Sequence, residues 1–300
     1  MMNGTSKSAG KAFTLLELLV VIPIISLLAA MLLPTLWHAK ERGKTATCLN
    51  NLRQLGIATS LYISDHNGRF PRKWIPRVNV TNGEAMEGNW NAQYTPGGPD
   101  PQIVWLNLDK APPPARYRPL NSYLAPSGVY LCPKDAGQAG DGIQPSNWDA
   151  LGCSYQYNCG GLYYPISGPA PPGPSQLGPH RPFAPPFADW GQEMADKSET
   201  WVTDPVREIL YYESPARIYG SVSLFYPQSE CFWYQWHSAS RPAVIFSPIP
   251  ERGKFLSPIQ FVDGDAVMED FTRRMVDDPW FPYRPTAEWR WYKSGDNNPN

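Results

Sequence analysis

The chain has 300 residues, enough for one or two ordinary domains, and its 42% hydrophobic content supplies the material for a core. A formal net charge of −1 argues against a surface built for nucleic acid. The 34 Pro and 24 Gly concentrate after residue 70, among 12 Trp, 16 Tyr and 11 Phe, and this mixture argues for short strands and proline-stiffened loops pinned by rings rather than for a helical enzyme.

Residues 1–12 are polar and carry Lys7 and Lys11 with no acid. From Phe13 to Leu33 the chain is apolar for twenty-one residues with a single charge, Glu17. As a helix that run spans about 31 Å, the hydrocarbon thickness of a bilayer. The basic leader favours a cytoplasmic N-terminus and an exported remainder. The following flank (His38, Lys40, Arg42, Lys44) is also basic, so charge alone leaves the orientation open. A secretory signal peptide would be shorter and end at a small-residue cleavage site, whereas here the apolar run continues past Ala29 and Ala30. A plain anchor fits the hydropathy equally well but does not explain Glu17. An acid near the centre of a span costs roughly 2.5–3.5 kcal/mol, and somewhat less this close to the interface, and a neutral residue would anchor better. Pro23 lies mid-span and Pro34 just past the apolar run, and at each the missing N–H is expected to kink the helix.

Beyond Pro34 the pattern stays helical and becomes amphipathic, with Cys48, Leu52, Leu55, Ala58, Leu61 and Tyr62 at three- and four-residue steps. Asp65-His66-Asn67-Gly68, followed by Pro71, is a stop signal. One helix from about residue 13 to 65 is expected, on the order of 80 Å long. After residue 70 the expected strands are Val129–Cys132, Trp201–Thr203, Glu208–Glu213, Ser223–Phe225, Cys231–Trp236, Ala243–Phe246 and Ile259–Phe271. Cys153 and Cys159 flank a further strand-like segment, and Asp263-Gly264 is a turn that could fold Ile259–Phe271 into a hairpin. Pro112–Pro114, Gly168–Gly178 and Pro182–Pro186 read as stiff loops, and the tail from Pro279 as packed by its rings to about Tyr292. The fold class expected is α+β, a long helix packed on a β-rich, loop-rich head.

The run Lys11-Ala12-Phe13-Thr14-Leu15-Leu16-Glu17-Leu18-Leu19-Val20-Val21 resembles the processing signature of type IV prepilins and type II secretion pseudopilins. The resemblance implies a cut between Ala12 and Phe13 by prepilin peptidase, N-methylation of Phe13, and retention of Glu17 in the membrane. There the amine of one subunit can neutralise the buried carboxylate of its neighbour. Ala12 departs from the glycine the family favours before the cut, and Pro23 from its usual small residue. Cys48 through Gly56, Tyr62, Asp65 through Pro71, Tyr130 through Asp135, Ser154 through Asn158 and Phe261 through Asp265 resemble blocks of a large-headed bacterial subfamily. Its closing Asp-Gly motif commonly has a histidine nine residues upstream. Gly253 stands there in this chain, and the nearest upstream histidine is His237.

What the resemblance implies is a leader over 1–12, a transmembrane and filament-core helix over 13–34, its amphipathic continuation over 35–68 and an exported head over 69–300. The implied location is a bacterial inner membrane, with the N-terminus in the cytoplasm and the head outside. The implied partners are prepilin peptidase/N-methyltransferase, other pilin or pseudopilin subunits, an inner-membrane assembly platform and lipid; no nucleic acid is expected. Without Lys7 and Lys11 the mature chain would hold 24 basic against 27 acidic residues.

Five cysteines in an exported head, Cys48, Cys132, Cys153, Cys159 and Cys231, point to disulfides with at least one thiol over. If the head packs as pilin heads do, Cys132 lies near the helix and a bridge from it, Cys48 being one partner, is favoured. Zinc is disfavoured because neither Cys-x-x-Cys nor His-x-x-His occurs. No cofactor is expected; Asp263 and Asp265, with Glu269 and Asp270, are candidates for calcium, but a solvated turn is the stronger reading because the regular ligand ladder is missing. Trp90, Trp190, Trp233, Trp236, Trp289 and Trp291 could stack on a glycan, though such rings more often pack a loop-rich core. His38, His66, His180 and His237 sit in no nucleophile, metalloprotease or phosphate-loop motif, so no enzyme is expected. The alternative to a filament subunit is a membrane-tethered protein whose head binds an extracellular polymer.

Overall fold

The apolar periodicity that opens the chain forms one helix, α1, over Leu15–Asp65, and it continues through both Pro23 and Pro34. The structure, a computed structural model, describes residues 15–72, 77–78, 85–86, 95–102, 114–125, 127–137, 145–158, 194–213, 232–233, 236–237, 245–246, 256–270 and 287–290. The chain divides into two units, Met1–Lys44 and Thr45–Asn300. Ala12 and Phe13 lie outside the described residues, as do Cys159, Cys231, Ser223–Phe225 and most of the expected stiff loops.

In the first unit every large apolar side chain described from Leu15 to Trp37 is exposed. A water-soluble helix would turn such a stripe to a core. Glu17 stands in the first turn and is exposed. By length and composition α1 is a helix able to cross a membrane.

In the second unit the same helix becomes a core element. Cys48, Leu52, Leu55, Ala58 and Tyr62 are buried in one cluster, the face expected from their spacing, whereas Leu61, expected with them, is exposed. Asn67 and Gly68 take positive φ (56° and 70°), and the Gly68 amide closes on the Ile63 carbonyl at 2.9 Å, so the stop signal ends the helix as anticipated.

The helix packs with a four-stranded antiparallel sheet in the order β3 (Tyr155–Tyr157), β4 (Ile209–Glu213), β7 (Leu256–Phe261), β8 (Ala266–Asp270). Thr59 Oγ1 meets Tyr211 Oη at 2.6 Å, tying α1 to β4. All five residues of β4 are buried, which explains why its sequence does not alternate: both faces of this strand are covered. β7 and β8 form the hairpin expected around Gly264 (φ 98°), with Ile259 opposite Val267. Two short pairs, β1 (Arg77–Val78) with β2 (Ala85–Met86) and β5 (Phe232–Trp233) with β6 (Ile245–Phe246), lie apart from this sheet. The second pair falls within two of the expected strands.

Two expected strands are corrected. Val129–Cys132 overlaps a 3-10 turn over Gly128–Tyr130, closed by Tyr130 N–H to Ser127 O and Leu131 N–H to Gly128 O. Trp201–Thr203 overlaps a second 3-10 turn, Glu199–Trp201, capped by the Ser198 hydroxyl, which accepts from Thr200 N–H. In both, local carbonyls capture the amides that a sheet neighbour would have needed. A five-residue helix, α2 (Asn147–Leu151), was not anticipated; Ser146 caps its start and Gly152 (φ 75°) its end.

Candidate functional site

The blocks scattered along the sequence converge on the second unit's core. Asn51, on the buried face of α1, donates through Nδ2 to Leu131 O (2.9 Å) and Tyr155 Oη (3.1 Å), joining the helix to two of them. Asp135 organises a third set of contacts. Its Oδ1 accepts from Gly137 N and Asn147 N, and its Oδ2 from Trp148 N, all at 2.9 Å, and from Ser154 Oγ at 2.6 Å. Ser154 Oγ in turn accepts from Cys132 N at 3.0 Å. Trp236 Nε1 donates to Gly137 O at 3.1 Å and so seats the bend that carries His237.

These supports place four ligand-type side chains together. Cys48 on α1, Cys132 after the 3-10 turn, Glu213 at the end of β4 and His237 are all buried, and their ligand atoms lie within 4.8 Å of one another. His237 Nε2 meets Glu213 Oε2 at 2.8 Å and Cys132 Sγ at 3.7 Å. Lys134 N–H donates to Cys132 Sγ at 3.4 Å, two residues along a turn stiffened by Pro133. Glu213 and His237 side chains are 0% and 1% exposed. Even so, Glu213 Oε1 and His237 Nδ1 have no hydrogen-bond partner among the described residues.

The electrostatics follow from that burial. Burial alone would lower the His237 pKa, but the Glu213 carboxylate beside it raises it to about 9. Burial holds the Cys132 thiol well above its usual range, and the hydrogen bond from Cys132 draws Cys48 down. The donor set, two sulfurs, an imidazole and a carboxylate, is chemically that of a borderline divalent-cation site.

Among the described residues Cys48, Cys132 and Cys153 are buried and carry free thiols. The pair favoured for a bridge is nevertheless neighbouring. Cys153 turns elsewhere, donating through Sγ to Tyr155 O at 3.1 Å. Asp263 and Asp265 lie in the exposed hairpin turn: Asp263 Oδ1 accepts from Asp265 N at 3.0 Å and Asp265 Oδ1 from Ala266 N at 2.9 Å, an arrangement that shapes the turn. Trp236 and Trp289, named above as candidate stacking platforms, are buried, at 4% and 3% exposure. Sequence reasoning missed the four-residue cluster because its members stand at positions 48, 132, 213 and 237, and no local spacing announces them. The one signal was that Cys48 and Cys132 each stand in a recognisable block; the histidine that commonly precedes the closing Asp-Gly motif is absent from its position, Gly253.

No family model, curated protein or solved structure matches this chain.

Proposed function

We propose that this chain is a pilin-like structural subunit, a pseudopilin or minor pilin, that inserts with its N-terminus in the cytoplasm, is cut between Ala12 and Phe13, is methylated on Phe13, and assembles through α1 into a filament. The observation that carries the reading is α1 itself: its first unit exposes a continuous apolar surface interrupted by one acid, Glu17. A tether gains nothing from that carboxylate, which at the fifth residue of the apolar run costs somewhat less than the roughly 2.5–3.5 kcal/mol of an acid at a bilayer's centre. A filament gains register, since the neighbour's new amino terminus can pair with it. The partners in this reading are the processing peptidase, sister subunits and the assembly platform.

The test is intact-mass and N-terminal peptide analysis of protein recovered from its native membrane, paired with Glu17→Leu. A chain beginning at N-methylated Phe13, and loss of filaments in Glu17→Leu, is the expected result. A chain still beginning at Met1 or Met2, with unchanged or improved membrane retention in Glu17→Leu, would replace the filament with a simple tether. A cut near Ala30 would overturn membrane anchoring as well.

A further inference from the structure

The cluster of Cys48, Cys132, Glu213 and His237 has no part in filament assembly through α1, and it is the grouping of metal-ligating side chains that the described residues bring together. We propose that these four residues bind one zinc ion, which fastens the Cys48 turn of α1 to the end of β4 inside the head. The inference stands independently of the filament reading.

Geometry comes first. A tetrahedral zinc with bonds of about 2.0–2.3 Å sets its ligand atoms roughly 3.3–3.8 Å apart. The Cys132 Sγ–His237 Nε2 separation is already 3.7 Å, and all four ligand atoms lie within 4.8 Å of one another. Glu213 Oε2 and His237 Nε2, at 2.8 Å, need open by only about half an ångström to admit the ion between them.

The second observation is the cost of the cluster without an ion. Four polar or ionisable side chains are withdrawn from water at the heart of an apolar core, next to Leu52, Tyr155 and Tyr211. Glu213 Oε1, on the carboxylate that would face the ion, is left without a partner among the described residues; His237 Nδ1 is too, but a metal held through Nε2 does not reach it. Buried groups in that condition cost about 1–3 kcal/mol each. A buried ion pair of His and Glu is a weak stabiliser by itself, and apolar residues of equal volume would serve packing better. A cation explains the convergence of all four.

The donor set selects the metal. Two thiolate sulfurs exclude the hard cations calcium and magnesium, while the imidazole and carboxylate favour zinc over cuprous copper. Four protein ligands close the coordination sphere, which is the arrangement of a structural site and leaves no position for substrate. The surroundings already hold the ligands in place. Lys134 N–H donates to Cys132 Sγ, and Ser154 and Asp135 fix the backbone that carries Cys132. On uptake the two thiols release protons and no electrons are transferred.

The experiment uses the full-length chain in detergent micelles, purified without chelators under mild reduction. Metal content is read by plasma mass spectrometry before and after incubation with zinc chloride, and the ligand shell by X-ray absorption at the zinc edge. One zinc per chain bound to two sulfur and two nitrogen or oxygen atoms is expected, with a melting temperature that falls on chelation and returns on zinc addition. Cys132→Ser and His237→Ala should weaken zinc binding at least tenfold, while Cys153→Ser should retain it. Where a ligand variant does not fold, cobalt substitution of the wild-type chain gives the answer: tetrahedral ligand-field bands with thiolate charge transfer support the site. Featureless cobalt spectra overturn it. So does a wild-type chain that takes up no zinc, or a Cys48–Cys132 disulfide found by non-reducing peptide mapping of protein from the native membrane.

Discussion

Asp135→Asn is the sharpest test of how the head is held together. The carboxylate accepts four hydrogen bonds, two on each oxygen, from Gly137 N, Asn147 N, Trp148 N and Ser154 Oγ. An amide has one accepting oxygen. Whichever way it turns, its NH2 faces at least one backbone N–H, leaving a buried donor unpaired. Each hydrogen bond to a charged group contributes about 1.5–3 kcal/mol, and an orphaned buried donor costs about 1–3 kcal/mol. Burial already raises the Asp135 pKa, so a neutral side chain recovers part of the desolvation cost. The expected net loss is therefore about 3 kcal/mol, near the lower end of those sums. Urea unfolding of the full chain in detergent micelles, followed by tryptophan fluorescence, measures it. A double-mutant cycle with Ser154→Ala should return a coupling of at least about 1 kcal/mol, because the two side chains share one bond. A loss under about 1 kcal/mol for Asp135→Asn, or simple additivity with Ser154→Ala, would show that this carboxylate does not organise the Cys132 and His237 segments.

Gly152→Ala should destabilise by more than about 3 kcal/mol in the same assay, since Gly152 sits at φ 75° and a Cβ there would collide with the Pro99 carbonyl oxygen; Gly128→Ala, which meets nothing within 4 Å, is the control and should stay within about 0.5 kcal/mol. Equal effects at the two glycines would refute the close approach of backbones inferred at Gly152. Burial pushes the Cys153 thiol up to about 12 from an ordinary value of 9.0. A raised folded-state pKa means that the thiol's contribution is complete below pH 9 and is lost as pH rises from 9 towards 12, with a slope approaching 1.4 kcal/mol per pH unit. Cys153→Ala should flatten the alkaline fall in stability by that slope, and identical pH profiles for variant and parent would contradict the burial argument.

The local elements were legible wherever a run of neighbours carried the information. The apolar stripe from Cys48 to Tyr62, the Asn67-Gly68 stop and the hairpin around Gly264 all depend on contacts a few residues away. β4 was legible as a strand although not in register, because burial on both faces erases alternation. Val129–Cys132 misled because β-branched and aromatic composition says nothing about whether a sheet neighbour is available, and there Tyr130 and Leu131 satisfied their amides locally.

By itself the sequence determined a single apolar helix with a lone acid at Glu17, an amphipathic continuation, and a head of short strands, since helical and strand periods are written in adjacent residues. Only the tertiary structure decided that Cys48, Cys132, Glu213 and His237 meet. Their meeting depends on α1 packing beside β4, on β3 lying opposite it with Tyr155 paired to Glu213, and on the Asp135 and Trp236 anchors that carry Cys132 and His237 into place. Those pairings span tens to hundreds of residues, and the burial that stabilises them is a property of the folded core, which no window of sequence contains.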